Sequence, residues 1–484
     1  MNISKGSKLV ESIKNILLVV LFLLTILLLY FFWGDAPLRN LIGEDHPSHA
    51  AIDPVEIFQP DRIEISFGGG DFTVTENQFQ TIMECFKTFA ESRSLSVEEI
   101  SKERYEHEIR RRVSIKAVFE YFIPFAAICE LYGIDRIPGA DAIDAVSELA
   151  YAAEFDDCLF VYDKRAEKYF RIAGRSNSVF DNLRQIIENA RTGYVSYSML
   201  EHFMGGGINN NTLVPVSFES NLYDIDYSRE DFPGQPDRVN DIVRSFFSDN
   251  FDFVRRIAEQ NGTVIYMYGF GRIVVVADNN GVLTFRGEDD NRPSAPLRYL
   301  EAFERANSFI AAHCGFFPIE GMPLTPYIKE VIIDPEGKRG YRFVFGAKIG
   351  DGRVYYQSGA PMTVDVIGDQ VTDFKRQLIN VDLNDIREAD NGYREVFLPV
   401  INLIAFNREY IVAALVEAQR VNAEDISPDT ILELVLEKVT RLDSGYVKID
   451  ENEDTLKAAW IVTIGGLEFY FGLDEGEPFG YGLR

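Results

Sequence analysis

The residue types that most often bind metals occur in this chain without the spacing that a metal site needs. There are five histidines, and His107-Glu108 begins like a zinc-binding H-E-x-x-H motif but reaches Arg111 where the second histidine would stand. A zinc ion needs several nitrogen, sulfur or carboxylate ligands that converge from fixed positions, and one histidine does not supply them. The histidines therefore predict no zinc site.

An acidic stretch near the C-terminus has the opening spacing of a calcium-binding loop. Asp450, Asn452 and Asp454 stand two residues apart, as the first oxygen ligands of such a loop do. Thr455 replaces the glycine that the loop requires for its turn, and Ile461 replaces the glutamate that closes the coordination shell. We interpret the stretch as a solvated acidic turn, and we expect neither a metal nor a cofactor.

No combination of nucleophiles, glycines or carboxylates indicates an active site. Gly269 and Gly271 begin like a dinucleotide-binding fingerprint, but the third glycine is missing and a strand pattern follows, so we predict a hairpin turn. Asp156 and Asp157 could act as general acid and base, yet neighbouring carboxylates arise by chance in a chain with 76 of them. No G-x-S-x-G elbow, Walker A loop or S-x-x-K motif occurs in a convincing context. We expect that the protein is not an enzyme.

Charge and cysteine usage exclude two further classes of protein. The chain has 76 acidic and 48 basic residues, a net charge of −28, which repels phosphate backbones and makes nucleic acid an unexpected partner. Cys85, Cys129, Cys158 and Cys314 lie far apart and form no C-x-x-C pair. We therefore expect ordinary core thiols and no disulfide framework.

One apolar segment near the N-terminus is long enough to cross a membrane. Residues 16–33 contain no Asp, Glu, Lys or Arg, and Thr25 and Tyr30 are their polar side chains. At 1.5 Å per residue a helix of this segment is about 27 Å long, which spans the hydrocarbon core of a bilayer. Since no A-x-A-like cleavage site follows, a retained single-pass helix fits better than a cleaved signal peptide.

The charges that flank the apolar segment predict its orientation. Lys5, Lys8 and Lys14 precede it and Asp35 follows it, so the positive-inside rule places the N-terminus in the cytoplasm. We therefore expect a cytoplasmic tail at residues 1–14 and a transmembrane helix at residues 15–34 of the cell membrane. Everything beyond residue 34 is then extracellular.

Hydrophobic patterns beyond the membrane segment predict an α+β fold of three modules, each an antiparallel meander with packing helices. Prolines and few periodic apolar positions make residues 35–60 a tether. The glycine and asparagine run after residue 204 is the clearest linker. We therefore predict a first α+β domain at 61–205, a central α+β domain at 206–318 and a C-terminal α+β domain at 319–484.

Turn and capping signals locate elements inside these domains. Residues 62–67 and 72–74 alternate as a hairpin, and Thr75 with Gln78 forms a capping box for the helix that follows. Ser96 with Glu99 forms a second capping box, which predicts a charged helix running toward Arg112. Residues 459–464 and 467–471 predict a last hairpin across two glycines.

Short segments also occur in an order that is typical of one regulator family. They are Pro60-Asp61-Arg62-Ile63, residues 104–119 with Ile123-Pro124, residues 242–247, Gly262-Thr263-Val264-Ile265-Tyr266, Tyr341-Arg342-Phe343 and Trp460-Ile461-Val462. With the basic tail and the single apolar helix, this layout resembles the YycH/YycI family of regulators of an essential cell-wall two-component system in Gram-positive bacteria. Ala458 and Ala459 stand where the family pattern has a proline, so the chain resembles a divergent, YycH-like member.

The resemblance implies a function in signal transduction and cell-wall homeostasis without catalysis. It implies a YycI-like C-terminal domain, a sensor histidine kinase as partner in the bilayer, and a related YycI-like subunit as a further partner. Helix packing in a membrane depends on shape and on a few polar contacts. The expected partner-binding residues of the helix are Leu17, Leu18, Leu21, Leu24, Thr25 and Leu28.

Two other functions remain open from the sequence. The protein could be a cell-envelope binding or scaffold protein that uses the helix only as an anchor. It could also be a cell-wall hydrolase that uses some of its carboxylates, although no motif supports this function.

Overall fold

The computed structural model describes Leu18, Leu21 and, with gaps, residues 51–483. The gaps are residues 77, 92–94, 136, 156–157, 175–179, 192–194, 204–207, 217–218, 221, 230–233, 288–294, 314, 317–323, 378, 382–393, 396–398, 423–425, 428–429 and 450–453.

The first half of the described chain forms a sheet that we call the N-terminal sheet. Its strands hydrogen bond in the order β3-β7-β6-β5-β4-β1-β2-β8-β9, and every neighbouring pair among them is antiparallel. The elements of this half, in chain order, are α1 (Pro54–Ile57), β1 (Arg62–Phe67), β2 (Asp71–Thr75), α2 (Phe79–Ala90), β3 (Ser96–Ile100), α3 (Lys102–Ile109), β4 (Val113–Val118), α4 (Phe125–Leu131), β5 (Glu148–Ala152), β6 (Cys158–Asp163), β7 (Lys168–Ala173), α5 (Asp181–Asn189), β8 (Tyr197–Met199), α6 (Leu200–Phe203) and β9 (Leu213–Pro215).

The second half forms a larger sheet that we call the C-terminal sheet. It contains 15 described strands, and β10 pairs with β22 outside it. The elements are β10 (Glu219–Ser220), β11 (Ile225–Arg229), α7 (Pro236–Arg244), β12 (Arg255–Ala258), β13 (Val264–Tyr268), β14 (Ile273–Ala277), β15 (Val282–Arg286), α8 (Tyr299–Ala312), β16 (Leu324–Ile333), β17 (Gly340–Ile349), β18 (Gly352–Tyr356), β19 (Met362–Ile367), β20 (Gln370–Gln377), β21 (Ile379–Val381), β22 (Arg394–Glu395), α9 (Val400–Phe406), α10 (Arg408–Glu417), α11 (Ile431–Glu437), β23 (Val439–Lys448), β24 (Thr455–Ile464), β25 (Leu467–Gly472) and β26 (Pro478–Leu483).

The C-terminal sheet forks at β17. Residues 340–345 of β17 pair with β19, residues 347–349 pair with β18, and β16 follows the other edge along nearly the whole strand. One arm continues from β19 through β20 and β15 to the edge strand β12, and the other continues from β18 through β23 to β24 and β25. A Cβ atom at Gly346, between the two pairings, would lie 2.2 Å from Cζ of Tyr327. Glycine is therefore required where the tyrosine ring crosses the fork.

The mixed α+β architecture agrees with the sequence analysis, but the strands are not divided into three separate sheets. Strand β15 of the predicted central domain pairs with β20 of the predicted C-terminal domain over residues 282–286. The sheet therefore runs continuously across the predicted boundary at residue 318. This pairing could not be anticipated from alternation, which identifies strands but not their neighbours.

The last ten residues of the predicted tether are part of the fold. Asp53 accepts a hydrogen bond from the backbone N–H of Val55 and caps α1, and Ile57 and Phe58 are buried. The ring of Phe58 lies 4.6 Å from that of Phe303 on α8. The folded structure therefore begins before Pro60, because two apolar residues in a proline-rich stretch are enough to dock it on a neighbouring helix.

Two predicted capping boxes are wrong. Residues 96–100 form strand β3 instead of a helix start, because their backbone pairs with β7 along its whole length, and helix α3 begins later with Ser101 as its cap. Helix α2 begins at Phe79, three residues later than a cap at Thr75 requires, because Thr75 is the last residue of β2; the actual cap residue, Gln78, has a left-handed backbone (φ 84°) and makes no side-chain capping bond.

Most predicted hairpins are confirmed. Strand β1 pairs with β2, and β24 pairs with β25 across Gly465 and Gly466, whose φ angles of 57° and 83° suit glycine. The segment 269–271 forms the turn between β13 and β14, as predicted, and Phe270 at its tip is fully exposed with φ 60°.

We expect that Phe58→Ala destabilises the protein strongly, because it leaves a cavity between residues 51–60 and α8. The free energy of unfolding of the full-length protein in detergent, measured by urea titration, should fall by about 3–5 kcal/mol. Phe270→Ala is the matched control and should change it by less than about 0.5 kcal/mol, since that ring packs on nothing. Equal effects of the two substitutions would contradict the placement of residues 51–60 in the core.

Candidate functional site

The residues predicted to contact a partner in the membrane are described only in part. Leu18 and Leu21 are helical, and 62% and 63% of their surfaces are exposed. Leu17, Leu24, Thr25 and Leu28 lie outside the described residues, so their role in binding a partner stays a prediction. In the part of the chain that the structure describes, no helix has the length and apolarity needed to span a membrane.

The other sequence motifs do not converge on a site. Among the described residues, no group of three or more histidine, cysteine, aspartate or glutamate side chains could hold a metal ion. Cys85, Cys129 and Cys158 are buried. Three candidate elements lie outside the described residues: the pair at 156–157, Cys314, and the start of the calcium-like stretch at 450–453.

The most highly charged region lies between the polar face of the N-terminal sheet and the β18–β23 arm of the C-terminal sheet. We call its ionised side chains the interface charge network. Its members are Asp61, Arg62, Glu64, Lys116, Glu120 and Glu148 from the N-terminal half, and Arg353, Arg441 and Asp443 from the C-terminal half.

Strand alternation places the N-terminal members on one face. In β1, Ile63 and Ile65 are buried in the apolar core, so Arg62 and Glu64 point to the opposite face of the sheet. Glu64 stands directly across from Lys116 of β4, whose Nζ lies 2.8 Å from a Glu64 oxygen. The same Nζ lies 3.2 Å from Glu148 on β5. Lys116 therefore joins two carboxylates across three strands.

Two arginines of the C-terminal half complete the network. Arg353 of β18 donates to Oδ1 and to the backbone oxygen of Asp61, each at 2.7 Å. Arg441 of β23 donates to Glu120, which also accepts from Arg62 at 2.5 Å. Each arginine therefore bonds a residue that is about 290–320 positions away in the chain.

Neighbouring cations keep two carboxylates of this largely buried network, Glu64 and Asp443, ionised. Only 6% of Asp61 and 4% of Arg353 is exposed, so each charge requires a close partner to offset its loss of hydration. Burial alone would raise the pKa of Glu64, but the adjacent Lys116 and Arg62 lower it to about 2. Burial likewise opposes ionisation of Asp443, yet Arg441 and Arg353 lower its pKa below the ordinary value.

A tyrosine extends the network as a neutral donor. Burial is the main reason that the pKa of Tyr355 is raised well above 10, so its hydroxyl keeps its proton. That hydroxyl donates to Asp443 and accepts from Arg441 at 3.1 Å. On the N-terminal side, the Tyr105 hydroxyl donates to Glu148 at 2.7 Å. At each end of the network, a tyrosine hydroxyl group therefore donates a hydrogen bond to a carboxylate.

A cleft of about 740 Å³ adjoins this network. Its walls come from β1, β4 and β5 on one side and from β23 on the other, and residues 209–213 also line it. The segment 209–213 is itself tied to the C-terminal half, because the Asn210 side chain donates to the carbonyl groups of Leu436 and Val439 at 2.7 and 2.8 Å.

The sequence analysis did not identify the interface charge network. Arg62, Glu64 and Lys116 occupy the polar positions of alternating strands, which is the pattern of a sheet with one face in water. The partners on β18 and β23 are remote in sequence, and no local signal links them to these strands. Only the packing of the two sheets shows that the polar face is covered.

The fold is that of a known protein. The crystal structure of YycH from Bacillus subtilis superimposes on the chain with a TM-score of 0.53, covering 90% of this chain and 98% of that chain at 10% sequence identity. No protein-family model matches the sequence, and none of the curated proteins does. The sequence-based resemblance to YycH is therefore confirmed at the level of the fold.

Asp61→Asn should destabilise the full-length protein by about 3–5 kcal/mol, because it leaves Arg353 buried beside a neutral amide. Urea titration measures this loss. Glu99→Gln is the control, since the Glu99–Lys168 pair has similar geometry at 2.8 Å but is half exposed, and such a pair contributes about 0–1 kcal/mol. If the two substitutions cost the same, the Asp61–Arg353 pair does not hold the halves together.

The lowered pKa of Glu64 predicts a specific loss of stability in acid. The pKa of Glu64 is about 2 in the folded protein and 4.5 ordinarily, so the ionised carboxylate stabilises the fold above pH 4.5. That contribution, about 3 kcal/mol, is lost as the pH falls from 4.5 to 2. The unfolding free energies of the wild type and of Glu64→Gln, measured between pH 4.5 and pH 2, should converge as the pH falls. If the two free energies stay equally far apart across this range, the pKa of Glu64 is not lowered in the folded protein.

Proposed function

We propose that the protein is a membrane-anchored extracytoplasmic regulator that tunes a sensor histidine kinase of a cell-wall two-component system through contacts of its transmembrane helix. The observation that carries this proposal is the match to the crystal structure of YycH, which extends over 98% of that chain and 90% of this one. The order of sequence segments quoted above supports it independently. No catalytic step is part of the proposal.

The proposed contact surface lies on one side of the transmembrane helix. Successive residues of an α-helix are about 100° apart, so positions three and four apart share a face. The six partner-binding residues fall within one arc of about 120° by this spacing. They are Leu17, Leu18, Leu21, Leu24, Thr25 and Leu28. A face of this kind packs against another helix by shape, and Thr25 adds one polar contact.

Regulation requires that the extracellular part can bias the helix between two packing states. The described chain resumes at residue 51, and Asn307 of α8 exchanges two hydrogen bonds with Ile52, at 3.1 and 2.7 Å. The segment that leads from the helix therefore docks near the junction of the two halves. A change in how the halves pack would act on this segment first. A related YycI-like subunit and the bilayer itself are the further proposed partners.

The proposal predicts that the face of the helix, and not only its length, is needed. In the full-length protein, replacing residues 16–33 by an unrelated apolar helix should abolish regulation of kinase output, read from a reporter gene, while export stays intact. Alanine at Leu17, Leu21, Leu24 and Leu28 should weaken regulation, because helix packing in a membrane depends on complementary shape. Alanine at Val19, Phe22, Leu23 and Ile26, on the opposite face, is the matched control.

The same variants separate the regulator from a scaffold that uses the helix only as an anchor. An anchor tolerates any apolar helix of sufficient length, so the swapped protein would keep its full effect on the cell envelope. Unchanged kinase output in the swapped protein, with equal amounts of protein in the membrane, would reject the proposed mechanism.

A further inference from the structure

The cleft beside the interface charge network has the size and position of a ligand site. Pockets for small ligands enclose roughly 300–1,000 Å³ and often lie between domains, and this cleft of about 740 Å³ lies between the two sheets. Glu64, Lys116 and Glu148 line one wall, and Arg441 and Asp443 line the other. We propose that the cleft binds a ligand with at least one ammonium group, of the size of a short lysine-containing peptide.

The charge of the lining favours a cation. Seven acidic and four basic side chains border the cleft, and the acidic groups remain in excess even when Arg353 and Lys348, which pair with Asp61 and Glu76 from outside the lining, are counted with the basic ones. Glu64 and Asp443 stay ionised, since neighbouring cations hold the pKa of Glu64 at about 2 and lower that of Asp443. An ammonium group entering the cleft therefore meets charges that it can pair with, whereas a phosphate or carboxylate ligand meets a net repulsion.

The carboxylates also retain acceptor capacity. An ionised carboxylate has about four lone-pair positions. The Glu148 carboxylate accepts from the Lys116 ammonium at one oxygen and from the Tyr105 hydroxyl at the other. Further N–H donors of a ligand can therefore bind Glu148 without displacing either partner. On the other wall, 29% of the Asp443 side chain is exposed, so this carboxylate can be reached from the cleft.

Binding would act on the packing of the two halves. One wall belongs to the N-terminal sheet and the other to the β18–β23 arm, and the Arg441–Glu120 bond connects them. A cation bound in the cleft would be attracted by the carboxylates of both walls and would therefore draw the two walls together. The cleft would bind its ligand whether or not the transmembrane helix regulates a kinase, so this inference goes beyond the proposed function and does not rest on it.

The chain provides its own reporter of binding. Its two tryptophans are Trp33 and Trp460, and Trp460 borders the cleft. In the full-length Trp33→Phe protein in neutral detergent, Trp460 is the remaining tryptophan, and its fluorescence is measured during titration with tri-lysine. We expect a saturable change with tri-lysine and none with tri-glutamate. Calorimetric titration of the same samples checks the affinity.

Two substitutions in the cleft test the assignment. Glu148→Gln and Asp443→Asn should each weaken tri-lysine binding about tenfold, the effect of losing one charge-assisted contact. Glu98→Gln, far along the N-terminal sheet on β3, is the control and should leave the affinity unchanged, although it alters the net charge equally. The proposal is overturned if tri-lysine causes no saturable change, if tri-glutamate binds as well, or if all three substitutions have the same effect.

Discussion

The buried contact between Arg353 and Asp61 is the interaction on which the arrangement of the two halves depends. The guanidinium group of Arg353, which is 4% exposed, has lost most of its hydration, and its two direct hydrogen bonds to the carboxylate and the backbone oxygen of Asp61 offset much of that loss. Since Asp61 directly precedes β1, this contact fixes the first strand of one sheet against β18 of the other. Arg441 and Glu120 repeat the same connection one strand further along.

Two different kinds of packing therefore join the halves. On one side an apolar core continues from the helices of the N-terminal half to α8, with Phe58 against Phe303. On the other side the contact is ionic and borders a cleft. Apolar contacts are non-directional, whereas charge pairs require specific geometry. The apolar side thus contributes non-directional attraction between the halves, and the ionic side adds attraction that also sets their relative orientation and supplies the charges that a ligand would meet.

The sequence predicted local structure well and remote structure poorly. Alternation identified the hairpin of β1 with β2 and that of β24 with β25, because the side-chain period of a strand is read directly from neighbouring residues. It could not show that Glu64 and Lys116 are covered, because the covering strand follows more than 300 residues later. The failure at Ser96 has a related cause: the same residues that could cap a helix pair with β7 once that strand is beside them.

The edge strand β12 has a consequence for how copies of the protein behave beside one another. The C-terminal sheet ends on this strand, which has only four residues and carries Arg255 and Arg256, both exposed. Long, flat, uncharged edges invite strands of other molecules to add to a sheet, and short edges with positive charges discourage it. This edge of the C-terminal sheet therefore discourages fibril-like association between copies of the protein.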